Sequence, residues 1–271
     1  MDMLAQPEQQ LSNLARDPET AVADLLRTVR LGSRQKDYRS VRRSLTQLGL
    51  LYRWLGRLES ALRCYKRLVK SDPTNSVACL SVAECMRALG HCGESLKFVK
   101  KGITALRSRQ GSYHISYYIC FEARLVFEAA ICFRLLGDFS SAARRLDRFL
   151  RYREGAVSEK ERCFARVLLQ EARFALGQAR PEDLAHAAKA ELRTTEKSAI
   201  AAAAMAIAAQ AKGDVSGGEE WRDKAFTWAM RSVGAPFSQH HWQLTFAILR
   251  RLPEVAPPTQ EKERRPNKPR N

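Results

Sequence analysis

Cysteine and histidine are the side chains in this sequence best suited to metal binding or nucleophilic chemistry. Cys85, His91 and Cys92 lie close together, but their spacing matches no zinc pattern and no fourth ligand is nearby. His240 and His241 are adjacent, so on a helix they would point about 100° apart and would not readily share a metal ion. The seven cysteines are odd in number and form no CxxC pair, which favours reduced thiols in the core. We expect no metal site.

Catalytic motifs are absent from the sequence. It has no Walker loop, no GxGxxG fingerprint, no HExxH zinc motif and no GxSxG nucleophile motif. We therefore expect a protein that is not an enzyme and that needs no cofactor.

Positive charge is concentrated in the first half of the chain. The sequence has 46 Lys and Arg against 29 Asp and Glu, a formal net charge of +17. Residues 20–112 alone hold 19 basic and six acidic residues. Such a field attracts RNA, DNA, anionic membranes or acidic proteins, without choosing among them. No segment is long and apolar enough to span a membrane, and no secretory signal is visible, so we expect a cytoplasmic protein.

The elements that position these charges are predicted to be helices in pairs. Residues 42–75 carry large and small residues at fixed spacing: Leu48-Gly49, Tyr52, Leu55-Gly56, Ala61, Tyr65 and Pro73. This pattern closely resembles the tetratricopeptide repeat, although Leu45 replaces its Trp and Leu68 replaces a small residue. Small residues let the two helices of a repeat approach, and a glycine can end the first helix in a left-handed conformation.

The same period continues along the chain. Further units are predicted at 76–109 and 123–156, with weaker ones within 163–232, and the turn glycines at 56, 90, 137, 177 and 213 are spaced by 34, 47, 40 and 36 residues. The resemblance implies an all-α, right-handed solenoid of roughly five to six antiparallel helix pairs.

Three regions are predicted along the chain. Residues 1–18 form a partly disordered N-terminal cap, residues 19–252 form the solenoid, and residues 253–271 form a disordered basic tail rich in proline. An opening helix is expected from Thr20 to about Gln35, and a closing amphipathic helix near Phe237 to Leu252.

The resemblance also predicts which side chains face the inner groove of the solenoid. Positions that line the groove in tetratricopeptide proteins hold five arginines here: Arg43, Arg53, Arg87, Arg124 and Arg134. Guanidinium groups suit carboxylate or phosphate ligands, so this groove is predicted to bind an acidic or acidic-apolar protein segment. The alternative is that each arginine is simply solvated on its own helix.

A second charged surface is predicted on the outer helices. Equivalent positions of three units carry the six cations that we call the basic ridge: Arg63, Arg67, Lys97, Lys101, Arg144 and Arg148. Stacking would align them so that they could follow a phosphate backbone. Exposed helix faces are commonly charged, so the ridge is equally compatible with a plain solvated surface.

Residues 110–122 lengthen one repeat and are rich in aromatics. Tyr113, Tyr117 and Phe121 would share one stripe of a helix, where they would be part of the core or a patch facing a partner.

These patterns predict a scaffold or adaptor that holds a protein segment in the arginine-lined groove. A secretion-type chaperone is one variant of this hypothesis. The alternative is a nucleic-acid-binding solenoid that uses the basic ridge. The partner's identity, the pathway and the oligomeric state are left open by the sequence.

Overall fold

Twelve α-helices follow one another in the described part of the chain. The computed structural model describes residues 17–109, 115–153, 155–232 and 239–250, and it contains no β-strand in those ranges. The helices are α1 (Pro18–Arg34), α2 (Tyr38–Trp54), α3 (Leu58–Ser71), α4 (Ser76–Ala88), α5 (Cys92–Ser108), α6 (Ile115–Leu135), α7 (Phe139–Leu150), α8 (Glu159–Ala175), α9 (Pro181–Thr194), α10 (Ala199–Ala211), α11 (Val215–Ser232) and α12 (Gln239–Leu249). The predicted cap, apart from residues 17 and 18, and the predicted tail lie outside the described residues.

The helices are arranged as a solenoid of pairs. Each helix packs against the next, which gives the pairs α2/α3, α4/α5, α6/α7, α8/α9 and α10/α11. First helices of neighbouring pairs also touch, as α4 touches α6 and α8 touches α10. The predicted all-α solenoid is therefore confirmed, with five pairs between an opening helix and a closing helix.

Glycine ends the first helix of every pair. Gly56, Gly90, Gly137, Gly177 and Gly213 have φ between 69° and 87°. Side chains disfavour this left-handed region, whereas glycine adopts it readily. These are the five turn glycines predicted from the sequence, and their conformation reverses the chain between the two helices of each pair.

The first pair is held close by a glycine packed against an aromatic ring. A Cβ atom on Gly49 in α2 would stand 2.5 Å from Cζ of Tyr65 in α3. Tyr65 is 2% exposed, so its ring has little room to move. The small residue predicted to allow close helix packing is thus in direct contact with the partner helix.

The segment that lengthens the third pair extends its first helix. α6 begins at Ile115 and has 21 residues. Tyr117 and Phe121 lie on one face with their ring centroids 4.4 Å apart, and Phe121 is 9% exposed. Tyr113 lies outside the described residues. The stripe was predicted to be either part of the core or a patch that faces a partner. The burial of Phe121 favours the core.

The closing helix α12 turns back onto the inner side of the solenoid. It packs against α10 and α11, and it also touches α4 and α6, the first helices of two earlier pairs. Leu244, Thr245 and Ile248 are fully buried. Gln243 donates a hydrogen bond from Nε2 to the backbone oxygen of Ala88, at 2.7 Å, and its Oε1 accepts one from Arg87. These contacts join parts of the chain about 155 residues apart.

Candidate partner-binding cavity

A cavity of about 380 Å³ opens along the first helices of the solenoid. The first helices α2, α4, α6 and α8 line it, and the second helices α7 and α9 contribute one side chain each. Its walls combine charged and apolar side chains: Arg53, Glu84, Arg87, Arg124, Phe127, Glu128, Ile131, Phe149, Lys160, Glu161, Phe164 and Glu191. Concave sites with an apolar wall and a few placed polar groups are the usual form of binding pockets.

Three of the five predicted groove arginines line this cavity. They are Arg53, Arg87 and Arg124, which come from α2, α4 and α6. Arg134 and Arg43 are not among the lining residues. Arg134 is buried deeper in the stack, whereas Arg43 is exposed near the start of α2.

A ladder of ion pairs joins the first helices of successive units. In each rung an arginine at the end of one first helix pairs with a glutamate in the next. In the first two rungs the nitrogen and oxygen atoms lie 2.6 Å apart, between Arg53 Nη1 and Glu84 Oε2 and between Arg87 Nε and Glu128 Oε1. In the third rung, Arg134 Nη2 donates to Glu171 Oε1 at 2.9 Å.

Burial increases along this Arg–Glu ladder. The side chains of Arg53 and Glu84 are 21% and 15% exposed, whereas those of Arg134 and Glu171 are 4% and 0% exposed. Charges removed from water in this way need a partner, because an isolated buried charge is strongly unfavourable. Each ladder arginine therefore depends on its glutamate in the next first helix, and the loss of either partner alone would be costly.

The first rung carries an excess of positive charge. Burial alone would raise the pKa of the Glu84 carboxyl, but Arg53, Arg124 and Arg87 outweigh it and hold that pKa below its usual value. Arg124 is 46% exposed and its Nη2 lies 3.5 Å from Glu84 Oε1. Since Glu84 serves both Arg53 and Arg124, the Arg124 guanidinium keeps capacity for a further anionic partner at the rim.

Three phenylalanine rings form an apolar wall of the cavity. Phe127 of α6 lies 4.6 Å from Phe149 of α7 and 5.7 Å from Phe164 of α8, measured between ring centroids. Phe149 and Phe164 are 2% and 6% exposed. Phe149 and Phe164 were not predicted as groove residues, since α7 is a second helix and α8 belongs to a weakly patterned unit.

The cations of the basic ridge are all exposed on second helices. Several of them already have polar contacts on the same surface. Lys97 pairs with Glu94, Arg148 Nη2 lies 2.7 Å from Glu122 Oε1, and Arg144 donates to hydroxyl groups of Ser140 and Ser141. Two neighbouring glutamates thus partly balance the positive charge of the ridge.

The cysteines are free thiols. Six of them are buried, and Cys120 is half-buried. Within the described part of the chain, no group of three or more His, Cys, Asp or Glu side chains is placed to hold a metal ion. Among the described helices, none is long and apolar enough to cross a membrane.

The first helix pair matches a known family. The model described as "Tetratricopeptide repeat" matches residues 43–75, which are α2, α3 and the loop that follows. The repeat recognised in residues 42–75 is thereby confirmed. No curated protein matches the sequence.

Several solved helical structures are similar to this chain. MamA is 15% identical, over 71% of this chain and 93% of MamA, with a TM-score of 0.47. PilW, a type IV pilus biogenesis factor, is 18% identical over 76% of this chain and 98% of PilW, with a TM-score of 0.39. A chain of the APC/C hetero-tetramer Cut9–Hcn1 is 13% identical over 86% of this chain and 50% of that chain, with a TM-score of 0.44.

Proposed function

We propose that this tetratricopeptide-like solenoid is a non-enzymatic scaffold that binds a segment of a partner protein in the cavity on its first helices. The main support for this proposal is the cavity itself, which is lined by both phenylalanine rings and charged side chains. Repeat solenoids present extended concave surfaces of this kind, and peptide segments bind them through apolar anchors flanked by polar contacts.

The Arg–Glu ladder gives this surface its rigidity. Arg87, which lines the cavity, is 4% exposed, so it is held in place before any partner arrives. Preorganised polar groups lose little conformational entropy on binding. In this proposal the exposed arginines bind an acidic residue of the partner. These are Arg124 at the rim of the cavity and Arg43 beyond it.

A variant of the proposal is a chaperone that holds an unfolded segment of a secreted protein. The mixed apolar and charged cavity suits such a segment as well as a folded helix. A chaperone would bind its partner before the partner folds, whereas a scaffold would bind the folded partner.

Affinity capture from a native lysate of the source cell tests the proposed function. The wild type is compared with Arg124→Glu, which reverses the rim charge, and with a matched surface variant, Arg67→Glu with Lys101→Glu on the basic ridge. We expect a protein that survives nuclease and high salt, is lost with Arg124→Glu, and is retained by the ridge variant.

The nucleic-acid alternative is an outcome of the same experiment. If all captured material disappears after nuclease treatment, and the ridge variant rather than Arg124→Glu abolishes capture, the basic ridge is the working surface. The groove proposal would then be wrong. Salt dependence adds a second criterion, because phosphate contacts weaken steeply as the salt concentration rises.

A further inference from the structure

Glu191 is a buried carboxylate at the cavity for which the proposed function gives no role. It lies in the last turn of α9, is 1% exposed, and lines the cavity. Its Oε2 atom is buried and has no hydrogen-bond partner at bonding distance among the described residues, although the hydroxyl groups of Thr195 and Ser198 lie near enough to lower the pKa of the carboxyl. A buried polar atom without a partner is uncommon in native proteins, and it often marks the place of a missing ligand.

The other acidic groups of the cavity are already engaged. Glu84 and Glu128 pair with ladder arginines, at 2.6 Å in each case. Glu161 accepts a hydrogen bond from the backbone nitrogen of Ser158, at 2.8 Å, as part of the cap of α8. Glu191 is therefore the acid of this cavity that keeps a carboxylate oxygen without a hydrogen bond at bonding distance in the described part of the chain.

The surroundings of Glu191 fit a positively charged side chain. The phenylalanine wall of Phe127, Phe149 and Phe164 lines the same cavity. Aromatic faces attract cations, and they also pack well against the methylene stem of a lysine or arginine. A cavity that contains both a carboxylate and aromatic rings is thus suited to a long side chain with a cationic head.

We propose that the cavity takes up an arginine or lysine side chain of the partner segment, with its cationic head on Glu191 Oε2 and its stem against the phenylalanine wall. This proposal rests on the proposed function and names a feature of the partner. The bound segment then carries a basic anchor residue, in addition to the acidic group placed near Arg124.

The charged neighbours agree with this assignment. Burial raises the pKa of the Glu191 carboxyl, and the nearby hydroxyl groups of Thr195 and Ser198 and the Lys160 ammonium only partly oppose that rise. A bound cation would stabilise the ionised form and lower the pKa. Lys160 and Glu161 approach from α8 and Glu128 from α6, and Lys160 is exposed, which leaves it free to move away from an incoming cation.

Panning a phage library of random 12-residue peptides on the full chain tests the inference. We expect the recovered peptides to be enriched in a lysine or arginine flanked by apolar residues. The enrichment should be lost on Glu191→Gln and kept on Glu182→Gln, which removes an exposed carboxylate of the same helix. Recovered peptides without a basic residue, or an equal enrichment on Glu191→Gln, would overturn the inference.

A synthetic version of a recovered peptide gives a second test, in which the change is made in the peptide. Replacing its arginine by citrulline, or its lysine by acetyl-lysine, removes the charge and keeps the stem of the side chain. We expect at least about a tenfold loss of affinity for the wild type, because a charge-assisted hydrogen bond is lost, and little loss for Glu191→Gln. Equal binding of the uncharged peptide by the wild type would refute the cationic anchor.

The two proposals fail in different ways. Peptides whose binding is lost in Arg124→Glu, but which need no basic residue, would rule out the cationic anchor. The proposed scaffold function would remain. A chain that recovers no peptide in the cavity would remove the proposed function, and the anchor with it.

Discussion

The ion pair of Arg134 and Glu171 is the most deeply buried rung of the Arg–Glu ladder, with side chains 4% and 0% exposed. Two bonds join them, one of them 2.9 Å between Arg134 Nη2 and Glu171 Oε1. Desolvation of both charges offsets much of their attraction, so the pair contributes less to net stability than its geometry suggests. Loss of one partner alone, however, leaves an uncompensated buried charge.

We therefore predict that Arg134→Met lowers the free energy of unfolding by about 3–5 kcal/mol. The double variant Arg134→Met with Glu171→Leu should recover most of this loss, because both charges are gone. Urea unfolding of the four proteins of the cycle measures the coupling. The exposed pair of Lys97 and Glu94 serves as the control, where Lys97→Met should change stability by only about 0–1 kcal/mol. Additive losses in the buried cycle would contradict the prediction.

The Glu191 carboxyl gives a pH-dependent prediction. Burial raises its folded-state pKa above the unfolded value of about 4.5. Between these two values the folded chain holds a proton that the unfolded chain has released, so stability falls as pH rises through that window. Each tenfold rise in proton affinity corresponds to about 1.4 kcal/mol.

Glu191→Gln should therefore be more stable than the wild type at pH 7, and the difference should vanish towards pH 4. Denaturant unfolding at a series of pH values measures the difference in the free energy of unfolding. Glu182→Gln is the matched control, and it should not become more stable than the wild type as the pH rises. A stability gain for Glu191→Gln that is the same at every pH would show that the carboxyl has an ordinary pKa.

At the scale of the helices, the sequence predicts most of what the structure contains. The repeat residues of 42–75 and the turn glycines are local signals, each defined by a few neighbouring positions, and the structure confirms them. The ion-pair partners are not local: Glu84, Glu128 and Glu171 are single acids within apolar stretches of first helices. They form ion pairs only because stacking places each one beside an arginine, which lies 31, 41 and 37 residues earlier in the sequence, respectively.

The cavity was predictable in part for the same reason. Arg53, Arg87 and Arg124 sit at groove positions that the repeat pattern specifies. Phe164 and Glu191 come from units whose spacing departs from 34 residues, so no register assigns them to the groove. An acid within an apolar helical stretch was the available signal for Glu191, but it does not say which surface the side chain faces.

The approach of α2 and α3 gives a prediction for a pair of helices. In Gly49→Ala the new Cβ would overlap the Tyr65 ring, at 2.5 Å from Cζ, and must push the helices apart. We expect a loss of about 1–3 kcal/mol in the free energy of unfolding, as for other overpacked cores. Gly93→Ala in α5 is the matched control. No atom lies within 4 Å of its Cβ position, and its stability should be unchanged or higher by up to about 1 kcal/mol. Equal effects of the two would rule out the steric account.

For the whole molecule, the closing helix changes how the solenoid unfolds. In a simple stack each pair contacts only its neighbours, so the two ends can unfold independently. Here α12 touches α4 and α6 as well as α10 and α11, which links the end of the chain to its middle. The wild type should therefore unfold more cooperatively than a linear array of five pairs.

Removing the buried side chains of α12 should break this link. Leu244 and Ile248 are fully buried, and their replacement by alanine costs about 2–5 kcal/mol each in comparable cores. Native-state hydrogen exchange on Leu244→Ala with Ile248→Ala should show faster exchange in α10 and α11, while α2 to α5 keep their protection. Met230→Ala, at an exposed side chain of α11, is the control and should leave exchange unchanged. Equal loss of protection in every helix would mean that the solenoid is one cooperative unit that does not depend on α12 for its coupling.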